Sequence, residues 1–137
     1  MEINFVGLTA ALAAFLGICL GHVSVRIIER NAKSLLPPII IAIILGLTFE
    51  AYSLSIVNRL PSAATGILGI TILWDALEFI RQEKRVKNGH VPANPANPRH
   101  AKILTNYPSA TKLDLLKRDP IGRQVNADEA IQLLTDH

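Results

Sequence analysis

The sequence predicts an all-α membrane protein. Three transmembrane helices form an up-down-up bundle, with the N-terminus outside and an extended cytoplasmic C-terminal tail containing short helices. Three observations carry this reading. Half of the 137 residues are apolar and only 18% are charged, against about 25% in an average soluble domain. The charge is also concentrated late: residues 1–80 hold four Lys/Arg and five Asp/Glu, and residues 81–137 hold ten and six. Finally, three apolar runs of membrane-crossing length follow one another through short polar connections.

The first span covers about residues 3–25. Ile3 to Val25 has no charged residue and exceeds the roughly 20 positions that cross a bilayer core. With no Lys or Arg before Arg26, it lacks the basic leader of a cleavable signal. Arg26, Glu29, Arg30 and Lys33 read as a polar connection. The second span covers about 36–57. Pro37 and Pro38 suit its first turn, where amide hydrogens have no intrahelical partner. Ile39 to Leu45 is apolar all round, which suits lipid. Asn58-Arg59-Leu60-Pro61 reads as a tight turn before a third span over about 62–80. A polar helical extension from Arg81 to Lys87 follows, and Asn88-Gly89 stops it. Residues 1–87 thus form the membrane domain. Residues 88–100, with Asn94-Pro95 and Asn97-Pro98, read as an extended linker. Residues 101–137 read as a tail with short helices near Ser109–Lys117 and Asn126–Leu134.

Lys/Arg placement orients the bundle. The first connection has three besides Arg81, Lys84, Arg85 and Lys87 after the third span, while the N-terminus has none and the second connection only Arg59. Positive flanks face the cytoplasm, so the first loop and the tail lie inside. Trp74, Arg81, Lys84, Arg85 and Lys87 are the expected interface anchors. The basic pI is then a topology signal and not a sign of nucleic acid.

Catalytic signatures are missing. A single cysteine, Cys19, excludes an internal disulfide framework and a Cys-based zinc site. The four histidines form no close pair, and the chain has no phosphate-binding or nucleophile-elbow motif. No catalytic residue, cofactor or metal is expected, and the chain reads as a non-enzyme. Small residues mark helix packing: Ala13, Gly17 and Gly21 in the first span, Gly66 and Gly69 in the third. The candidate intramembrane polar residues are His22, Arg26, Glu50, Asp75 and Glu78, since ionisable groups are expensive at that depth. His22, Asp75 and Glu78 can share a level, with the acids neutralising Arg26 or His22. Glu50 belongs to the other half, among Thr48, Tyr52, Ser53 and Ser55.

Two blocks of residues carry a resemblance. The first is Asn4-Phe5-x-Gly7, Phe15-Leu16, His22, Val25 and Glu29. The second is Gly66-Ile67-Leu68-Gly69, Leu73-Trp74, Glu78, Gln82 to Lys87, Gly89, Pro92 and Asn94-Pro95. Over about residues 3–98 the chain resembles a family of small uncharacterised bacterial three-span membrane proteins, a domain of unknown function. The resemblance implies three spans in a bacterial inner membrane and no established activity, and it draws attention to His22, Glu29 and Glu78. The chain departs from it at His90 and Val91, where aromatics are usual, and in a tail extending past the Asn-Pro pairs.

That tail carries Ile103, Leu104, Tyr107, Leu113, Leu115, Leu116, Ile121, Val125, Ile131, Leu133 and Leu134. So many large apolar residues need a surface to bury against. The expected role is a non-catalytic accessory or anchoring subunit of a larger membrane complex, an electron-transfer complex being one plausible host. The tail would dock on a cytoplasmic-side partner. The alternative is a small self-associating, homo-oligomeric protein that handles ions or protons through Glu50 and Glu78.

Overall fold

The computed structural model describes residues 4–114 together with Asn126, Asp128, Ile131 and Gln132. Four helices follow in order: α1 (Phe5–Asn31), α2 (Leu36–Ser55), α3 (Arg59–Lys87) and α4 (Pro98–Asn106). The described residues contain no strand. Three of the helices are long and apolar enough to cross a membrane, and the chain is a multi-pass membrane protein. At the helical rise, α2 with its 20 residues is about 30 Å long, the thickness of a hydrocarbon core. α1 has 27 residues and α3 has 29, so both are about 10 Å longer. Their excess lies at their C-terminal ends, which carry the charges. The antiparallel course brings those two ends together, and they form the platform on which α4 sits.

Each boundary has a local cause. Asn4 accepts the Gly7 amide and caps α1. Asn58 accepts the Leu60 amide and caps α3. α2 opens with prolines in its first turn. Two expected boundaries move. Arg26, Glu29 and Arg30 belong to the last turns of α1, leaving a connection of only 32–35. α3 begins at Arg59, with Pro61 in its first turn, where a missing amide hydrogen costs no helical bond.

The helices are packed inside out. Large apolar side chains such as Phe15, Leu20 and Ile44 face outward, as they do where the solvent is lipid. Many of the buried positions are small: Ala13, Gly21, Ala42, Gly46, Gly69 and Ala76. Small residues let helices approach closely when water provides no driving force. α3 is central and packs on both α1 and α2, which scarcely touch one another. Val25, Ala42, Ala76 and Phe79 form the common core. The α2–α3 hairpin is closed by reciprocal bonds, Ser53 Oγ donating to Ser62 O (2.7 Å) and Ser62 Oγ to Ser53 O (3.0 Å). The small residues read as packing stripes serve these contacts within the chain. A Cβ at Gly17 would meet Thr71, one at Gly21 would meet Asp75, one at Gly66 would meet Ser53, and one at Gly69 would meet Glu50.

The segment after α3 is not an extended linker. A helix starts at Pro98, inside the stretch read as linker, and residues 107–114 return without helix. The helix expected over 109–117 is therefore missing at 109–114, and its last three residues lie outside the described ones. Of the helix expected over 126–134, the described Asp128, Ile131 and Gln132 are helical and Asn126 is not, and the other five residues lie outside the described ones. Val86, Ala93 and Ile103 make a second small core, with Val91, Leu104 and Ala110 packed against it. Part of the tail's apolar surface is thus covered by the chain itself and not by a partner.

Candidate functional site

Among the described residues the most constrained polar group is a buried knot where α1, α3 and the start of α4 meet. Glu29, in the last turns of α1, is 1% exposed, and His100 of α4 is fully buried. A helix ends with carbonyls that have no intrahelical donor, and here the chain supplies donors from residues 94–99. Asn97 Nδ2 donates to Arg30 O and Ala32 O, both at 3.0 Å. Asn94 Nδ2 reaches Arg30 O at 3.3 Å. Arg99 Nε donates to Ala32 O at 3.2 Å, and Arg99 Nη2 donates to Glu29 O. The guanidinium also answers the partial negative charge at that helix end.

The same guanidinium binds two carboxylates. Nη2 lies 2.9 Å from Glu29 Oε1, and Nη1 lies 2.9 Å from Glu83 Oε1. His100 completes the knot. Its Nδ1 accepts the Asn94 amide at 2.9 Å, so that nitrogen carries no proton. The proton therefore sits on Nε2, which donates to Glu29 Oε1 at 3.0 Å. Arg99 Nη2 also lies 3.0 Å from His100 Nε2. Both atoms carry hydrogens, so they share the Glu29 oxygen and do not bond each other.

Asn97 has two roles. Its Oδ1 accepts the Arg99 amide at 3.0 Å as the cap of α4, while its Nδ2 closes α1. Asn97→Ala should therefore lower the stability of the α4 segment by about 2 kcal/mol or more, a cap plus two donors. Hydrogen exchange of the α4 amides measures this.

Gly89 sets the turn into this segment. α3 ends with Gly89 N donating to Val86 O and His90 N to Arg85 O, the pattern in which the next residue turns left-handed. Gly89 has φ 74°, and any Cβ there would collide with Ser109 O. Only glycine allows the returning chain to pass, and it is held by Ala93 N donating to Thr111 O at 2.8 Å. Lys87 bonds Glu83 at 3.1 Å and lies over the Tyr107 ring.

The polar residues expected inside the membrane are arranged differently. His22, Trp74, Asp75 and Glu78 line one cleft of about 430 Å³ between α1 and α3. Glu78 pairs with Arg81 at 2.9 Å and Arg85 at 3.3 Å, on its own helix, and not with Arg26 or His22. Arg26 makes no ion pair among the described residues. Arg81 also covers the Trp74 ring at 4.7 Å. Lys84 faces outward at the same end. Glu50 is absent from this cleft and lies against Gly69. Three of the hydroxyls expected around it are engaged elsewhere, Thr48 on Ile44 O, Ser53 on Ser62 O and Ser55 on Ala51 O. Among the described residues no three His, Cys, Asp or Glu side chains are placed to hold a metal ion.

A family model described as a domain of unknown function (DUF4491) matches residues 4–97. The chain belongs to this family. The match ends at Asn97, so the family domain comprises α1–α3 and the turn to the cap of α4, while Arg99 and His100 follow just beyond. No curated protein and no solved structure matches the chain.

Residue-by-residue reading of the sequence did not single out Asn94, Asn97, Arg99 or His100, and Glu29 drew notice only through the family resemblance. A signal was present. Asn97 followed by Pro98 is a helix start, with an N-cap residue and then proline at the first helical position.

Proposed function

We propose that the chain is a non-catalytic accessory or anchoring subunit of a larger bacterial inner-membrane complex. In this reading the N-terminus lies outside and the knot and tail face the cytoplasm, since Arg26, Arg30, Lys33, Arg81, Lys84 and Arg85 cluster at that end. The observation that carries the reading is the closure of the knot. The carboxylate, guanidinium, imidazole and amide groups of Glu29, Arg99, His100 and Asn97 bind one another and helix carbonyls. Such a group is a clamp. It fixes residues 88–114 on the ends of α1 and α3, a fixed base that suits attachment to a neighbouring subunit. The described apolar tail residues Tyr107 and Ile131 remain exposed. The reading based on ion or proton handling draws less support, because Glu50 and Glu78 share no cleft.

Purification of the tagged chain in mild detergent at native expression tests this. Larger membrane subunits should co-purify stoichiometrically. Truncation after Asp114, which leaves every contact of the clamp in place, should release them. Recovery of the chain alone, under conditions that keep other complexes whole, would refute the proposal.

A further inference from the structure

Two acids line the cleft between α1 and α3, and the fold satisfies them unequally. Asp75 accepts no hydrogen bond from any described residue. Its carboxylate lies against Gly21, with His22 and Glu78 the ionisable groups within electrostatic range. The Glu78 side chain is only 7% exposed. Its Oε1 takes the Arg81 bond, but its Oε2 is buried without a hydrogen-bond donor. Arg85 pairs with that oxygen at 3.3 Å, and the oxygen is sealed from the cleft, so Asp75 is the acceptor that faces it. Buried acceptors without donors are costly, more so at membrane depth.

We propose that this cleft binds a membrane-soluble hydroxylated ring of the quinol class, whose hydroxyl donates to Asp75. Depth favours a ring over a glycerol headgroup. Asp75 lies six residues before Arg81, so about 9 Å deeper along the helix. Headgroup hydroxyls stay at the interface, whereas an uncharged ring enters the hydrocarbon. The remaining walls suit such a ligand: Gly17, Ile18 and Ile70 are apolar, and the Thr71 hydroxyl is already given to Leu68 O. The volume of about 430 Å³ lies within the roughly 300–1,000 Å³ usual for small-molecule sites. This site stands whether or not the chain is a subunit of a complex.

Trp74 is the one tryptophan of the sequence and lines the cleft, so its fluorescence reports occupancy. The full chain in phosphatidylcholine nanodiscs is titrated anaerobically with a decyl-substituted benzohydroquinone. Its dimethyl ether, diacylglycerol and tetraphenylphosphonium serve as comparison ligands. Saturable quenching is expected with the hydroquinone. Binding should be at least tenfold weaker for the dimethyl ether, which keeps the ring but has no donor. Asp75→Ala, which removes no hydrogen bond of the fold, should weaken the hydroquinone about tenfold. The proposal is overturned by quenching that does not saturate, by equal binding of the ether, or by stronger binding of diacylglycerol or the cation. An unchanged Asp75→Ala also overturns it. The ether comparison needs no variant and stands even if Asp75→Ala does not fold.

Discussion

Replacing Arg99 with methionine should detach α4 from the ends of α1 and α3 while leaving the three long helices intact. The guanidinium is 13% exposed and binds Glu29, Glu83 and two carbonyls. Methionine keeps much of the length and none of the donors. Glu29, at 1% exposure, would retain only His100 and remain a buried carboxylate without a cationic partner. Removing one member of a buried pair typically costs about 3–5 kcal/mol, most of it the penalty on the charge left behind. Hydrogen exchange on the chain in nanodiscs should therefore show lost protection over 98–106, and over Ala93, whose amide bonds Thr111. The spans should be unchanged. Normal protection of α4 in the variant would mean that the apolar contacts alone hold it.

Gly46→Val should be the most damaging single change inside the membrane. α2 and α3 approach through a reciprocal glycine contact. A Cβ at Gly46 would lie 2.5 Å from Leu73 Cγ and 2.9 Å from Gly69 O, and one at Gly69 would lie 3.1 Å from Gly46 O. Leu73 can move but the backbone oxygens cannot, so the helices must separate. Separation would also strain the Ser53–Ser62 bonds that close the hairpin. Overpacking of this kind costs about 1–3 kcal/mol, occasionally more, read as lower resistance to dodecyl sulfate in mixed micelles. Gly7→Ala is the control. Its Cβ would meet only the Asn4 side chain, no nearer than 3.5 Å, and alanine is the better helix former, so stability should hold or rise slightly.

The membrane part was legible because lipid imposes a strong constraint on sequence. Long apolar runs of crossing length read as spanning helices even with a few acids inside them, and the charged ends at Arg26–Arg30 and Arg81–Lys87 mark where they stop. What the sequence hid was the length of α1. A polar stretch directly after an apolar span reads as loop, yet Arg26, Glu29 and Arg30 are good helix residues and continue it. Gly46 was passed over because one glycine in an isoleucine-rich run forms no stripe; its importance depends on Gly69 facing it. The knot was hidden for a third reason. Glu29 meets Arg99 and His100 across about 70 positions of chain, and no local pattern connects them. Only the Asn97-Pro98 helix start could have shown that the supposed linker folds back, and proline-rich composition favoured the extended reading instead.

The central claim is that residues 88–106 are built around the buried carboxylate of Glu29. The most direct measurement is a double-mutant cycle on Glu29→Leu and Arg99→Met, with the opening free energy of α4 taken from hydrogen exchange. If the two side chains form one unit, the double variant loses less than the sum of the singles. The coupling should be about 1–3 kcal/mol. Losses that add within about 0.5 kcal/mol would contradict the account, since they would make the ion pair incidental to the docking of α4.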